Sequence, residues 1–202
     1  STKKYKNQKK VLRGKFPEAE QWDISNWIYS LIIPEKEISR LDKSTHPFTT
    51  SIGTRDVRLT TRFDETDPLS SFTPTAHEAG HALYELNLPK KYEYTTVRNG
   101  ASFGLHESQS RFWENIVCRS EPFAKVLFSK FKKSFPKQMK GIKFNDFYHE
   151  LNLVKPGLIR VDADEVTYCL HVILRFEIEL ALFEGKLTVK DLPKEWNKQM
   201  KN

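Results

Sequence analysis

Apolar and polar positions follow two rhythms along this chain, and the changes of rhythm mark its elements. Residues 22–41 mix aromatic and aliphatic side chains around Pro34, which predicts two short helices. From His46 the texture turns to threonine and β-branched residues. Pro47-Phe48-Thr49-Thr50-Ser51-Ile52 leads through Gly53-Thr54 to Val57-Arg58-Leu59-Thr60-Thr61-Arg62-Phe63, the pattern of a β-hairpin or small sheet. Helical spacing resumes over about 73–88, with Thr73 as N-cap, Pro74 at the first helical position and Leu88-Pro89 as the stop. Residues 92–97 read as another strand-like piece before the Asn99-Gly100 turn.

Four helices are predicted beyond that turn. Residues 103–119 turn Leu105, Phe112, Ile116 and Val117 toward a core, and Pro122 opens a helix that runs to about Ser134. Residues 145–153 follow, with Asn145 as cap. The longest helix, 162–184, carries Val166, Leu170, Ile173, Leu174, Leu180 and Phe183 on a broad apolar face and ends at Gly185. Thr188 with Asp191 starts a last short segment. The fold class expected is mainly α, with a small β element beside the 73–88 helix.

Composition narrows this picture. At 202 residues, with 14 Phe, 7 Tyr and 4 Trp, the chain can close a core and is not of disordered type. No apolar run approaches the ~20 residues of a membrane span, and the N-terminus lacks an apolar signal core. Cys118 and Cys169 lack CxxC spacing and fit reduced thiols, so a cytoplasmic location is expected. The net charge of +7 is local: Lys3, Lys4, Lys6, Lys9, Lys10, Arg13 and Lys15 precede the first acid, Glu18. Residues 1–20 are therefore read as a basic arm and 21–202 as one catalytic region. A nucleic-acid role would rest on the arm alone and ranks last among the readings.

The chemistry enters at His77-Glu78-Ala79-Gly80-His81. Histidines four residues apart on a helix project ~40° apart around its axis, so both imidazoles can reach one metal ion. Glu78 stands where it can take a proton from a water that the ion activates. The pentapeptide arises by chance in roughly one or two such chains per hundred, so it needs supporting residues. A third ligand is required, and His106, Glu107, Glu114, His149, Asp162, Asp164 and Glu165 are all candidates. Glu107, on the next helix, is preferred. Its competing role is an i,i+4 ion pair with Arg111, and spacing alone leaves that contest even.

These residues sit among longer strings that carry a resemblance. His46-Pro47-Phe48, Asp56-Val57-Arg58-Leu59-Thr60-Thr61, the 77–81 motif, His106-Glu107-Ser108-Gln109 and Ile159-Arg160-Val161-Asp162-Ala163-Asp164 stand in the order seen in Taq-type metallocarboxypeptidases. The match runs from about Leu41 to Trp196. The resemblance implies metal ligands His77, His81 and Glu107, with Glu78 as the catalytic carboxylate. It implies Zn2+ as the ion, Co2+ or Mn2+ being alternatives, and peptides as substrates. It also implies a homodimer, and an arginine, Arg58 or Arg160, that holds the substrate's C-terminal carboxylate. A planar guanidinium fork suits that task. Arg160 is preferred because it is predicted to open the long helix, where backbone N–H groups also favour an anion.

Relative to the family, the chain is expected to be truncated at both ends. A later Gly-x-x-Gln-Asp-x-His-Trp motif, which gives family members an active-site histidine, lies outside it. Two rivals to a working carboxypeptidase follow: a catalytically silent metal-binding fragment, and an endopeptidase with the same metal chemistry.

Overall fold

The threonine-rich stretch folds back on itself as expected, and a further strand joins it. Strands β2 (Thr49–Gly53) and β3 (Asp56–Thr61) pair antiparallel, with an irregularity in register between Ser51 and Gly53. Strand β1 (Ser39–Lys43) pairs with β3 in parallel, giving the order β1-β3-β2. The middle strand therefore buries most, with Val57 and Leu59 fully enclosed. This computed structural model describes residues 10–201, so Lys3, Lys4, Lys6 and Lys9 of the basic stretch lie outside the described residues. The chain divides into two compact units, one through Leu151 and one from Asn152.

In the first unit, helix α1 (Glu18–Ile32) and helix α2 (Leu69–Leu86) pack against each other and α2 packs on β3. Ile24, Ile28 and Ile32 of α1 repeat every four residues and meet a face of α2 made of Phe72, Ala76 and Ala79. Thr75 seals this junction with buried hydroxyls: its Oγ1 lies 2.9 Å from Thr61 Oγ1 and 3.2 Å from Ser25 Oγ. Helix α3 (Phe103–Arg111), α4 (Glu121–Ser134) and α5 (Phe144–Leu151) complete the unit. Phe16, Phe131, Phe135 and Phe147 form a buried aromatic cluster with ring centroids 5.0–5.6 Å apart.

Several expectations need correcting. The predicted second helix before residue 41 is a single 3₁₀ turn, Lys36–Ile38, that feeds β1. Helix α2 starts at Leu69, so Pro74 is its sixth residue and Thr73 bonds back to the Leu69 carbonyl instead of capping. The strand-like stretch 92–97 is not a strand. A 3₁₀ turn, Lys90–Tyr92, and further turns occupy it, and Glu93 is spent on Thr54, whose N–H and hydroxyl it accepts at 3.2 and 2.7 Å. Residues 103–119 are not one α-helix: α3 stops at Arg111 and widens into a π-helical segment, Phe112–Val117. The basic arm ends earlier than residue 20. Leu12 and Phe16 are fully buried, and Glu150 accepts the N–H groups of Val11 and Leu12 at 2.6 and 2.8 Å.

The second unit is helical. A 3₁₀ turn, Arg160–Asp162, precedes α6 (Tyr168–Phe183) and α7 (Leu192–Gln199), so the long helix starts six residues later than expected. Gly185 ends α6 at φ +69°, with its N–H bonded to the Leu182 carbonyl and that of Lys186 to Ala181. Before α7 the Thr188 hydroxyl donates to Asp191 Oδ2 at 2.6 Å and accepts the Asp191 N–H at 3.3 Å. The class is as expected: mainly α, with one small sheet beside the helix that bears the histidines.

Candidate metal centre

Helix α2 presents His77 and His81 one turn apart, with ring centroids 4.8 Å from each other and planes at 80°. Helix α3 crosses α2 where Gly80 removes the obstacle. A Cβ at Gly80 would stand 2.7 Å from Ser110 Cα and 2.9 Å from the Gln109 carbonyl, closer than any real contact allows. That close approach brings Glu107 over the histidines. Its Oε2 lies 3.5 Å from His77 Nε2 and 3.2 Å from His81 Nε2. The three ligand atoms lie within 4.8 Å of one another.

These donors fit a divalent ion of the zinc type. Two imidazole nitrogens and one carboxylate oxygen converge, while the far side of each ring is engaged elsewhere. His77 Nδ1 bonds Glu114 Oε2 at 2.8 Å. His81 Nδ1 meets His106 Nδ1 at 2.6 Å, and His106 Nε2 reaches Glu85 Oε1 at 2.7 Å. Arg111 ties the carboxylates together, with Nε 3.2 Å from Glu107 Oε1 and Nη1 3.1 Å from Glu114 Oε2. Glu107 divides its oxygens: Oε1 makes the i,i+4 pair with Arg111 and Oε2 faces the histidines.

Electrostatics follow from this crowding. Burial works against a charge on His77, but hydrogen bonds to Glu107 and Glu114 and the fields of both carboxylates outweigh it and lift its pKa to about 9. Burial would raise Glu107 and Glu114, yet the histidine partners and Arg111 hold both below the ordinary carboxylate range. A proton and a metal ion therefore compete for the same histidine nitrogen.

Glu78 is buried on the same helix, and Thr49 of β2 lies within bonding reach of it, Oγ1 to Oε2 at 2.7 Å. Together with Phe48, Ser51, His81, Glu85, Phe103, His106 and Glu107 they line one cleft of ≈ 450 Å³. The structure thus brings His77, Glu78, His81 and Glu107 together. It does not bring Arg58 to them. Along β3 the side chains alternate, so Arg58 points away from the face of Leu59 and forks onto Asp56 at 2.9 Å through Nε and Nη2. Arg160 belongs to the second unit, where its Nη1 donates to Tyr168 Oη at 2.7 Å and the guanidinium stands 5.5 Å from that ring.

Of the other candidates for third ligand, His106 and Glu114 support the histidines from behind. His149 is exposed on α5. Asp164 is spent on the loop before α6, where it accepts the N–H groups of Lys155, Val166 and Thr167 at 2.9 Å each. Sequence reasoning missed Glu85 and Gly80. Glu85 follows His81 by four residues, as His81 follows His77, so helical periodicity already aligned it with the site.

Known proteins are similar to this chain over most of its length. The family model for carboxypeptidase Taq (M32) metallopeptidases matches residues 1–202. Carboxypeptidase 1 of Bacillus subtilis is 42% identical over 184 residues, which cover 91% of this chain and 37% of that protein. Thermostable carboxypeptidase 1 of Pyrococcus furiosus is 45% identical over 162 residues, 80% of this chain and 32% of that one. A solved structure of a Pyrococcus furiosus carboxypeptidase superposes with a TM-score of 0.91 at 39% identity, covering 99% of this chain and 40% of its own. The chain thus spans roughly a third of the length of the relatives it matches.

Proposed function

The chain belongs to the carboxypeptidase Taq (M32) metallopeptidase family, and from that membership we propose that it carries the metal centre of a carboxypeptidase that releases C-terminal amino acids from peptides. The observation that supports this most is the convergence of His77, His81 and Glu107, the last two lining one cleft with Glu78. His77 and His81 Nε2 and Glu107 Oε2 would hold the ion. When bound, zinc supplies Lewis-acid polarisation of the scissile carbonyl and lowers the pKa of water toward ~7. Cobalt and manganese suit the same donors.

Glu78 takes the proton of the attacking water and passes it to the leaving amine, a contribution of roughly 10²–10⁴ in rate. Thr49 Oγ1 steers that carboxylate by donating to Oε2. Arg160 is favoured over Arg58 for the substrate's terminal carboxylate, because Arg58 is already clasped by Asp56. A cytoplasmic location, supported by two free cysteines, and pairing into a homodimer belong to the same proposal. No described helix is long and apolar enough to cross a membrane.

The second reading is a metal-binding module without catalysis. It is supported by the cleft's lining, which among the described residues includes no arginine, lysine or tyrosine to meet a carboxylate or an oxyanion. Mass spectrometry of a mixed peptide set, incubated with the chain plus zinc or cobalt, separates the two. Stepwise loss of C-terminal residues, absent with Glu78→Ala, supports the carboxypeptidase. Metal uptake without cleavage supports the silent module, and release of internal fragments makes the protein an endopeptidase.

A further inference from the structure

The two histidines of the centre are anchored in different ways. Behind His77 stands a carboxylate, Glu114 at 2.8 Å. Behind His81 stands another imidazole, His106 at 2.6 Å, which is itself bound to Glu85 at 2.7 Å. A metal ion on His81 Nε2, the nitrogen that faces Glu107 Oε2 at 3.2 Å, requires that nitrogen bare. One placement of protons then satisfies the contacts behind it. His81 carries its hydrogen on Nδ1 and donates to a bare His106 Nδ1, and His106 Nε2–H donates to Glu85.

We infer that the Glu85–His106 pair is a positioning relay, which fixes His81 in the tautomer that offers Nε2 to a metal ion. Both nitrogens of His106 are engaged, so it has no N–H left for substrate and acts only through His81. The relay is held from several sides. Tyr84 meets the His106 ring edge-on with centroids 4.9 Å apart, and a Cβ on Gly100 would lie 3.0 Å from its Cδ2. Ser102 starts α3 with a side-chain cap and accepts the N–H of His106 at its carbonyl, at 3.0 Å. Glu85, His81 and His77 share one stripe of α2, so the same helix supplies the ligands and the end of the relay. An uncharged histidine between ligand and carboxylate transmits orientation while keeping a second full negative charge away from His81. The centre then combines one directly anchored ligand with one relayed ligand.

The inference rests on the reading of His77, His81 and Glu107 as a metal centre, and two substitutions at one position separate the relay from packing. His106→Phe keeps an aromatic ring against Tyr84 and His81 but removes both bonds. His106→Gln gives up the ring but keeps one acceptor and one donor. Zinc affinity is measured by competition with a chromogenic chelator, cobalt absorption reports the ligand set, and circular dichroism checks the fold. The relay requires His106→Phe to lose roughly 10–100-fold in zinc affinity and His106→Gln to recover most of that loss. Nitrogen-15 shifts of the metal-free protein must show His81 protonated at Nδ1, with that preference lost in His106→Phe. Packing alone predicts the reverse order, with Phe tolerated and Gln damaging, and that order overturns the relay. If the unsubstituted chain takes up no zinc, the metal reading falls and the relay with it. If it binds zinc and His106→Phe binds equally well, only the relay falls.

Discussion

At the scale of single residues, the site is a set of side chains whose atoms are divided between tasks. Glu107 splits its two oxygens between Arg111 and the histidines, and each histidine turns one nitrogen to Glu107 and the other to a supporting side chain. Type and spacing pointed to His77, Glu78 and His81, because HExxH is a local pattern, and left Glu107 even between ligand and ion pair. The supports were hidden because they depend on how α2 and α3 cross. His106 and Glu114 read equally well as ligands until the helices are placed. The same division by environment applies to the cysteines. Cys118 is fully buried, and burial together with the nearby Glu114 charge pushes its thiol up to about 12. Cys169 is exposed. A thiol reagent at pH 8 should label Cys169 readily and Cys118 slower than a free thiol by roughly three orders of magnitude, from thiolate content alone. Mass spectrometry of the labelled chain, with and without denaturant, checks this. Equal labelling of both in the folded protein would contradict the burial of Cys118.

At the scale of elements, the site depends on the spacing of two helices. Gly80→Ala puts a methyl group into the backbone of Ser110, so α3 must back away and take Glu107 with it. Overpacking of this kind costs about 1–3 kcal/mol. The expected result is a lowered melting temperature together with weakened zinc affinity, whereas Ala79→Gly on the core side should lower the melting temperature with little change in affinity. Most elements were legible where local chemistry decides: the hairpin around Gly53, the helix opened by Pro122, the stop at Gly185 and the Thr188–Asp191 turn before α7. Where partners decide, reading failed. β1 is short and polar and becomes a strand by pairing with β3, whereas residues 92–97 have strand composition but fold into turns while Glu93 is drawn to Thr54. The π-helical widening after Arg111 leaves no mark in the hydrophobic period. Asp164 organises the loop before α6, and its pKa can be read with a sign. Burial would raise it, but bonds from Thr167, Lys155 and Val166 lower it below the ordinary 3.8. A depressed folded pKa stabilises above the unfolded value and is lost as pH falls through the folded one. Protection of the Val166 and Thr167 amides, taken relative to the intrinsic exchange rate at each pH, should therefore stay high at neutral pH and fall as pH drops below 3.8. In Asp164→Ala it should already be low at pH 7.

At the scale of the whole molecule, the residues named in the proposal fall in two units. Every residue of the metal centre and its supports lies before Leu151, and the favoured carboxylate clamp, Arg160, lies after it. Holding an ion and choosing the end of a peptide are therefore expected to separate on mutation. Arg160 is fixed before any substrate arrives, by its bond to Tyr168 Oη and its place over that ring, so ordering it on binding costs little. If it clasps the terminal carboxylate, Arg160→Ala should leave zinc affinity unchanged. It should raise KM for peptides with a free C-terminus by on the order of 10–100-fold, the worth of a charge-assisted bond. Hydrolysis of C-terminally amidated peptides, already poor, should not change. Arg58→Ala should do neither, because its guanidinium only closes a fork with Asp56 on the outer face of the sheet. A loss of selectivity in Arg58→Ala with Arg160→Ala unaffected would reverse the two roles. It would also place substrate recognition within the same unit as the metal.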